Sequence, residues 1–259
     1  MHSIQHPADA YQATIFHIDN PSMKELCEPV EGVVPENARE KLSRFKIRMA
    51  SNPVRQDFAR MLVQKMYSNR GYDTDDAARP AEDPPPSQLT LIASAPDETP
   101  LGTMSVIFDS GNGLPADAVY KDLLDPLRRE GRRLIEVGRL AIDRTEASRR
   151  LFAGMVHVIL IYASAIHRYT DMVIEVNPRH VGYYRKILKF EIIGEARHCP
   201  RVNATAVLMH IKIKDMLGHA KTMGGQGHRR TDEKSLYPYF FSPQDALGIL
   251  ARVLADQLR

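Results

Sequence analysis

"RRLIEVGRLAID" spans residues 132–143, and its reading decides how the rest of the chain is understood. The run predicts a fully buried strand, yet it carries Glu136 and Arg139 around Gly138. Burying charge is costly unless the charge is paired or used. Side chains alternate along a regular strand, so residues three apart face opposite sides. Both charges reach one cleft only if a bulge adds a residue between them, and Gly138 is where a bulge sits easily. An internal Glu–Arg pair closing the sheet is the alternative.

Working outward, "LTLIASA" and "LGTMSVIFD" predict two strands joined by "PDETP", a hairpin, and a polar helix over 116–130 leads into the quoted strand. Downstream, 146–169 predicts the strongest helix, apolar almost all round, followed by a short buried strand, "DMVIEV". "NPRHVGYYRKILKF" turns into an amphipathic helix, with Asn177 as its cap, and "FEIIGEAR" and "TAVLMHIKI" finish the sheet. Upstream, "FKIRMAS" alternates as a strand does, and "NPVRQDFARMLVQKMYS" predicts a helix with Val54, Phe58, Met61, Leu62 and Met66 on one apolar face.

Residues 1–43 read as an irregular lead-in broken by prolines, and 70–87 as a mobile, proline-rich loop. After 214 the chain reads as a glycine-rich flexible linker and then an amphipathic helix. That helix is capped by Ser242 and Asp245 and has Leu247, Leu250, Leu254 and Leu258 as its docking face. The expected division is therefore a lead-in over 1–43, a catalytic-size domain over 44–214 and an extension over 215–259.

Composition narrows the function. A net charge of +3 across 259 residues demands no nucleic-acid partner. Two distant cysteines, Cys27 and Cys199, make neither a disulfide framework nor a metal set, and fit a reducing cytoplasm. His157, His180, His198 and His210 lack metal-ligand spacing, so no metal site is expected. The N-terminus has no signal-peptide pattern, and the apolar stretch 151–166 is short of a membrane span, so a buried helix is expected there.

The order strand, helix, three strands, long helix, strand, helix, two strands resembles the GCN5-related N-acyltransferase fold. This is an α+β arrangement with a central seven-stranded mixed sheet flanked by helices, here with a C-terminal helical extension. "GYYRKILKFEIIG" is similar to that superfamily's helix-to-strand junction, with Lys189 where glycine is usual. "IEVGRLAID" resembles the E-x-x-R-hydrophobic motif of bacterial N-acyl amino acid synthases and of their relatives, the acyl-homoserine-lactone synthases. The resemblance covers about residues 40–213, and "VNPRHVGYYRKILKFEIIGEAR" looks more like the first group. The acetyl-CoA-dependent members hold pyrophosphate in a glycine loop, whereas "DRTEASRR" here contains no glycine. The resemblance therefore implies a donor without pyrophosphate, the acyl-phosphopantetheine of acyl carrier protein, as co-substrate with no bound cofactor.

What the resemblance implies about the site follows residue by residue. Glu136 accepts the proton of an attacking amine, and Arg139 binds an anionic or carbonyl oxygen. Tyr184 matches the tyrosine that protonates the leaving thiolate, although a helix-face tyrosine also serves as core. Arg144, Arg149 and Arg150, at the start of the long helix, oppose its macrodipole until an anion docks, with solvated arginines as the alternative. Asn177 touches the donor arm or simply caps its helix. Met104, Val106, Phe108, Met155, Val158 and Ile159 line an acyl tunnel or pack the core. The expected activity is transfer of a long fatty acyl chain from acyl carrier protein to an amino acid α-amine, in the cytoplasm, giving a product that associates with membrane. Three alternatives stay open: a lactone synthase, disfavoured by the absence of tryptophan, an acetyl-CoA acetyltransferase, and a non-enzymatic acyl-carrier sensor.

Overall fold

The structure is a computed structural model that describes residues 14–17, 45–50, 53–68, 87–142, 148–227, 229–230 and 232–257. All seven expected strands are present, in a mixed sheet that two further short strands extend. In chain order the strands are β1 (Thr14–His17), β2 (Lys46–Met49), β3 (Gln88–Ser94), β4 (Pro100–Phe108), β5 (Leu134–Ile142), β6 (Asp171–Val176), β7 (Glu191–Ile192), β8 (Arg197–Cys199) and β9 (Ala204–Lys212). Their spatial order is β1-β2-β3-β4-β5-β6-β9-β7, with β8 also on β9. β1 lies within the stretch read as an irregular lead-in. The helices are α1 (Pro53–Ser68), α2 (Asp117–Arg129), α3 (Ser148–Ile161), α4 (Pro178–Leu188), α5 (Ile213–Met223) and α6 (Pro243–Gln257).

Every neighbouring pair is antiparallel except β5 and β6, which run parallel and share only three residue pairs, Leu134 with Asp171, Ile135 with Met172 and Glu136 with Val173. Beyond Glu136 the two strands separate. The paired end is clamped by Asp171, whose Oδ1 accepts from Arg132 Nη1 at 2.7 Å and lies 2.6 Å from His210 Nε2. A split in the middle of a sheet leaves backbone groups unpaired on both margins, so it persists where a ligand arm enters rather than where a core needs closing.

Strand alternation sends the two faces to different layers. Leu134, Val173 and Leu208 pack with Tyr120 and Leu124 of α2. Ile135, Met172, Met209 and Ile211 pack with α3, α5 and α6. Every position of α3 from Leu151 to Ile161 is buried, so this apolar helix is the core helix that the sequence predicts.

Two expectations are corrected here. On α1 it is Ala59 and Val63 that are buried, whereas Val54, Phe58 and Met61 are exposed. The small side chains let the helix approach Ala50 and Ile92 on the sheet, and the large ones turn away. The segment after 214 is built into the core rather than flexible. Ile213, Met216 and Ala220 of α5 are buried, and Gly225, at φ +77°, donates its N–H to Phe240 O at 2.8 Å. Gly224 permits the same close approach, since a Cβ there would meet Phe241 O at 2.5 Å. Leu236, Tyr237, Phe240 and Phe241 then fill the space beside α3. Tyr237 Oη donates to Leu188 O at 2.6 Å, and the Phe241 N–H to His157 Nδ1 at 3.0 Å. Ser242 caps α6, accepting the Asp245 N–H at 3.2 Å. The docking residues of α6 are Ala246, Ile249, Leu250 and Val253, while Leu247 and Leu254 are exposed and Leu258 lies outside the described residues.

Candidate active site

Glu136 faces the α2 side of the sheet, in step with Leu134. Its Oε2 accepts the Ala116 N–H at 2.7 Å. That amide is fixed because the preceding loop is anchored: the Leu114 N–H donates to Asp117 Oδ2 at 2.6 Å. Asp117 in turn takes a two-pronged bond from Arg128, at 2.7 Å on each oxygen, and Arg128 Nε also binds Asp109 Oδ2 at 2.6 Å. Glu136 is 5% exposed, and burial pushes its carboxyl up to about 7 despite the Arg201 cation and the Ala116 amide. A carboxylate there is balanced between protonation states at neutral pH, as a general base requires.

The expected bulge exists, displaced by one residue. β5 gains a residue against β4 between Gly138 and Ala141, and Arg139 rather than Gly138 takes the left-handed backbone, at φ +48°. Val137 and Leu140, three apart, both pack toward α3, which confirms the change of parity and returns Arg139 to the side of Glu136.

Both residues line a cavity of about 1540 Å³ that passes through the split between β5 and β6. On the α3 face its wall is apolar: Phe152, Val156 and Ile159 form one helical stripe, with Met104 and Ile174 from the strands. On the α2 face the wall is charged, carrying Glu136, Glu175 and Arg201. Arg201 Nη1 lies 3.9 Å from Glu136 Oε1, and Arg201 Nη2 forms an ion pair with Glu175 Oε2. The cation that the structure shows beside Glu136 is therefore Arg201. Asn112, Arg149, Tyr183, Lys186, Asp232 and Lys234 are exposed residues that also line the cavity, and they mark where it opens.

Of the residues singled out from sequence, Glu136, Arg139, Tyr184, Arg149, Asn177, Met104 and Ile159 line this cavity. The Tyr184 ring stands edge-on to Phe152 and to Phe190, each at 6.4 Å. Asn177 caps α4, its Oδ1 accepting the Arg179 N–H at 3.2 Å. Arg149 binds the C-terminal segment, donating to the carbonyls of Lys234 at 3.0 Å and Ser235 at 2.8 Å and lying 4.7 Å over the Tyr239 ring. Val106, Phe108, Met155 and Val158 are core residues away from the cavity wall, and Phe108 sits among Tyr162, His167 and Tyr169. Arg150 is half-buried on α3 and is not in the wall, and Arg144 lies outside the described residues. Sequence reasoning passed over Glu175, Arg201, Phe152 and Val156. Glu175 was legible, as a charge inside "DMVIEV"; Arg201 was not, because a short 3-10 turn over Pro200–Val202 carries it back to the split.

A mixed sheet split between two parallel strands, with a buried carboxylate at the fork and a capped helix following the second strand, defines the GCN5-related N-acyltransferase class. A family model described as N-acyl amino acid synthase FeeM matches residues 59–212. The solved structure of FeeM, an N-acyl amino acid synthase from uncultured soil microbes, is 31% identical, with a TM-score of 0.60 over 68% of this chain and 93% of that one. The chain belongs to the FeeM family of N-acyl amino acid synthases. Other solved structures are more distantly similar. An N-acetyltransferase from Staphylococcus aureus Mu50 is 12% identical, with a TM-score of 0.45 over 66% of this chain and 98% of that one. Spermidine N-acetyltransferase from Vibrio cholerae, solved with CoA and spermine, is 12% identical, with a TM-score of 0.44 over 67% and 98%. No curated protein sequence matches the chain.

Proposed function

We propose that this protein transfers a long-chain fatty acyl group from the phosphopantetheine thioester of acyl carrier protein to the α-amine of an amino acid, in the cytoplasm. The observation that carries the reading is Glu136, buried at the fork of a cavity whose opposite wall is apolar. The amine nitrogen attacks the thioester carbonyl, the C–N bond forms and the C–S bond breaks. Glu136 takes the proton from nitrogen, and the departing thiolate is protonated, with Tyr184 as the candidate donor. A covalent acyl-enzyme is not part of the scheme. Cys199 lines the cavity, but burial pushes its thiol up, and an un-ionised thiol is a poor nucleophile.

The stripe of Phe152, Val156 and Ile159 suits an acyl chain, each buried methylene contributing about 0.8 kcal/mol. The absence of glycine from "DRTEASRR" favours a carrier-protein donor over CoA. Arg149, Lys186 and Lys234 at the mouth outnumber Asp232 and Glu233 beside them, which suits an acidic carrier. Mass spectrometry of lipid extracts from bacteria expressing the wild type and Glu136→Gln tests the reading. New N-acyl amino acids with the wild type and not the variant are expected. If soluble wild type yields none, the reading fails.

A further inference from the structure

The charged wall of the cavity holds more polar capacity than the chain itself satisfies. Glu175 and Val173 project to the same face of β6, which is the Glu136 side of the split sheet. The Glu175 side chain is 8% exposed and that of Arg201 33% exposed. One carboxylate oxygen of Glu175 and one guanidinium nitrogen of Arg201 meet as an ion pair. Among the described residues, both Glu175 oxygens and Arg201 Nε are buried and have no hydrogen-bond partner, and Oε2 has only the ion-pair contact while Oε1 has neither. An unsatisfied acceptor and an unsatisfied donor on one buried ion pair are costly to fold, and native chains keep such groups where a ligand completes them.

The missing partners have opposite characters. Glu175 Oε1 asks for a cationic donor, and Arg201 Nε asks for an anionic acceptor. An α-amino acid supplies both, one carbon apart. We propose that Glu175 and Arg201 form the acceptor site and select the substrate as a zwitterion, with the ammonium on Glu175 and the carboxylate on Arg201. This inference rests on the synthase reading above and names the groups that recognise its second substrate. The geometry also serves the reaction. The same guanidinium lies 3.9 Å from Glu136 Oε1, so an amine held at Glu175 stands beside the base that removes its proton.

The test compares amino acids with their α-carboxamides, which keep the amine and lose the carboxylate charge, as acceptors for a purified acyl carrier thioester. Wild type is expected to prefer the amino acid. Arg201→Gln is expected to lower kcat/KM for both acceptors, through its effect on Glu136 and Glu175, and to lower it for the amino acid by about tenfold to a hundredfold more than for the amide, as loss of a charged hydrogen bond implies. Because Arg201→Gln strands Glu175 as a lone buried charge, the double variant Arg201→Gln, Glu175→Gln is measured beside it. Equal use of amino acid and amide by the wild type, or equal losses on both in a folded variant, overturns the zwitterion site. Equal losses would mean that Arg201 only tunes Glu136. If the wild type acylates no acceptor, the synthase reading fails separately, and calorimetric titration with amino acids and amides decides the site alone. Amino-acid binding that the double variant abolishes supports it; no binding, or no preference over the amide, rejects it.

Discussion

Glu136 and His157 are buried titratable residues whose surroundings oppose charge, and they pull stability in opposite directions with pH. Glu136 is raised from 4.5 to about 7, so between those values the folded chain binds more protons than the unfolded one and stability falls as pH rises. His157 is lowered from 6.5 to about 4 by burial against Phe240 and Phe241. There the unfolded chain binds more protons, and stability falls as pH drops from 6.5 toward 4. Each effect is at most about 3 kcal/mol. Over the shared range they offset, so the wild-type Tm should be nearly flat between pH 4.5 and 6.5. Glu136→Gln retains an acceptor for the Ala116 N–H and removes one side of the balance. Thermal denaturation of that variant should show Tm rising across the same range and exceeding the wild type at pH 8; identical curves would contradict the burial argument. Glu136 was legible as a charge where a core strand allows none. Glu175 carried the same signal and was missed because "DMVIEV" was read only as a short buried strand. His157 was read only for metal spacing, although a lone histidine on an apolar helix is itself a sign of a buried acceptor.

Among the elements, those with strong periodicity and clear ends were legible, and those defined by packing were not. β5 and α4 sit where their patterns place them, down to the Asn177 cap, with Lys189 left-handed where the superfamily usually has glycine. α3, with the π-helical turn Tyr162–Ile166 after it, lies inside the expected 146–169. The bulge was anticipated from two charges three apart, but its turning residue is Arg139, since a bulge falls where the neighbouring strand needs it. The C-terminal segment was misread because glycine and polar residues suggest flexibility, whereas Gly224 and Gly225 are there to let two backbones touch. Tyr237, Phe240, Phe241, Ile249 and Val253 are buried against the core. At about 1.5–3 kcal/mol for each buried large side chain, their loss rivals the ~5–15 kcal/mol stability of a typical domain. A chain ending at residue 214 should therefore be insoluble or lack a cooperative unfolding transition. A soluble truncated form with a sharp transition near that of the full chain would restore the tail to an appendage.

Taken as a whole, the molecule carries one topological break, which the proposed function assigns to two substrates. Clamping β5 and β6 at the Asp171 end and parting them beyond Glu136 opens the sheet from face to face, with an apolar wall toward α3 and a charged wall toward α2. In the proposed reaction a donor chain and an amine acceptor meet at the fork from opposite faces, where Glu136 stands. Strand order and motifs made this architecture legible in the sequence. The charged wall was not, because Glu136, Glu175 and Arg201 come from three separate segments that only the fold brings together. The direct test of the central claim is the pH dependence of kcat/KM for N-acyl amino acid formation by the wild type and by Glu136→Gln. The account predicts a wild-type limb rising through about pH 7, and in the variant a loss of about 10²- to 10⁴-fold together with disappearance of that limb. A variant that keeps both the rate and the same limb would assign the ionisation to the substrate amine and remove Glu136 from the chemistry.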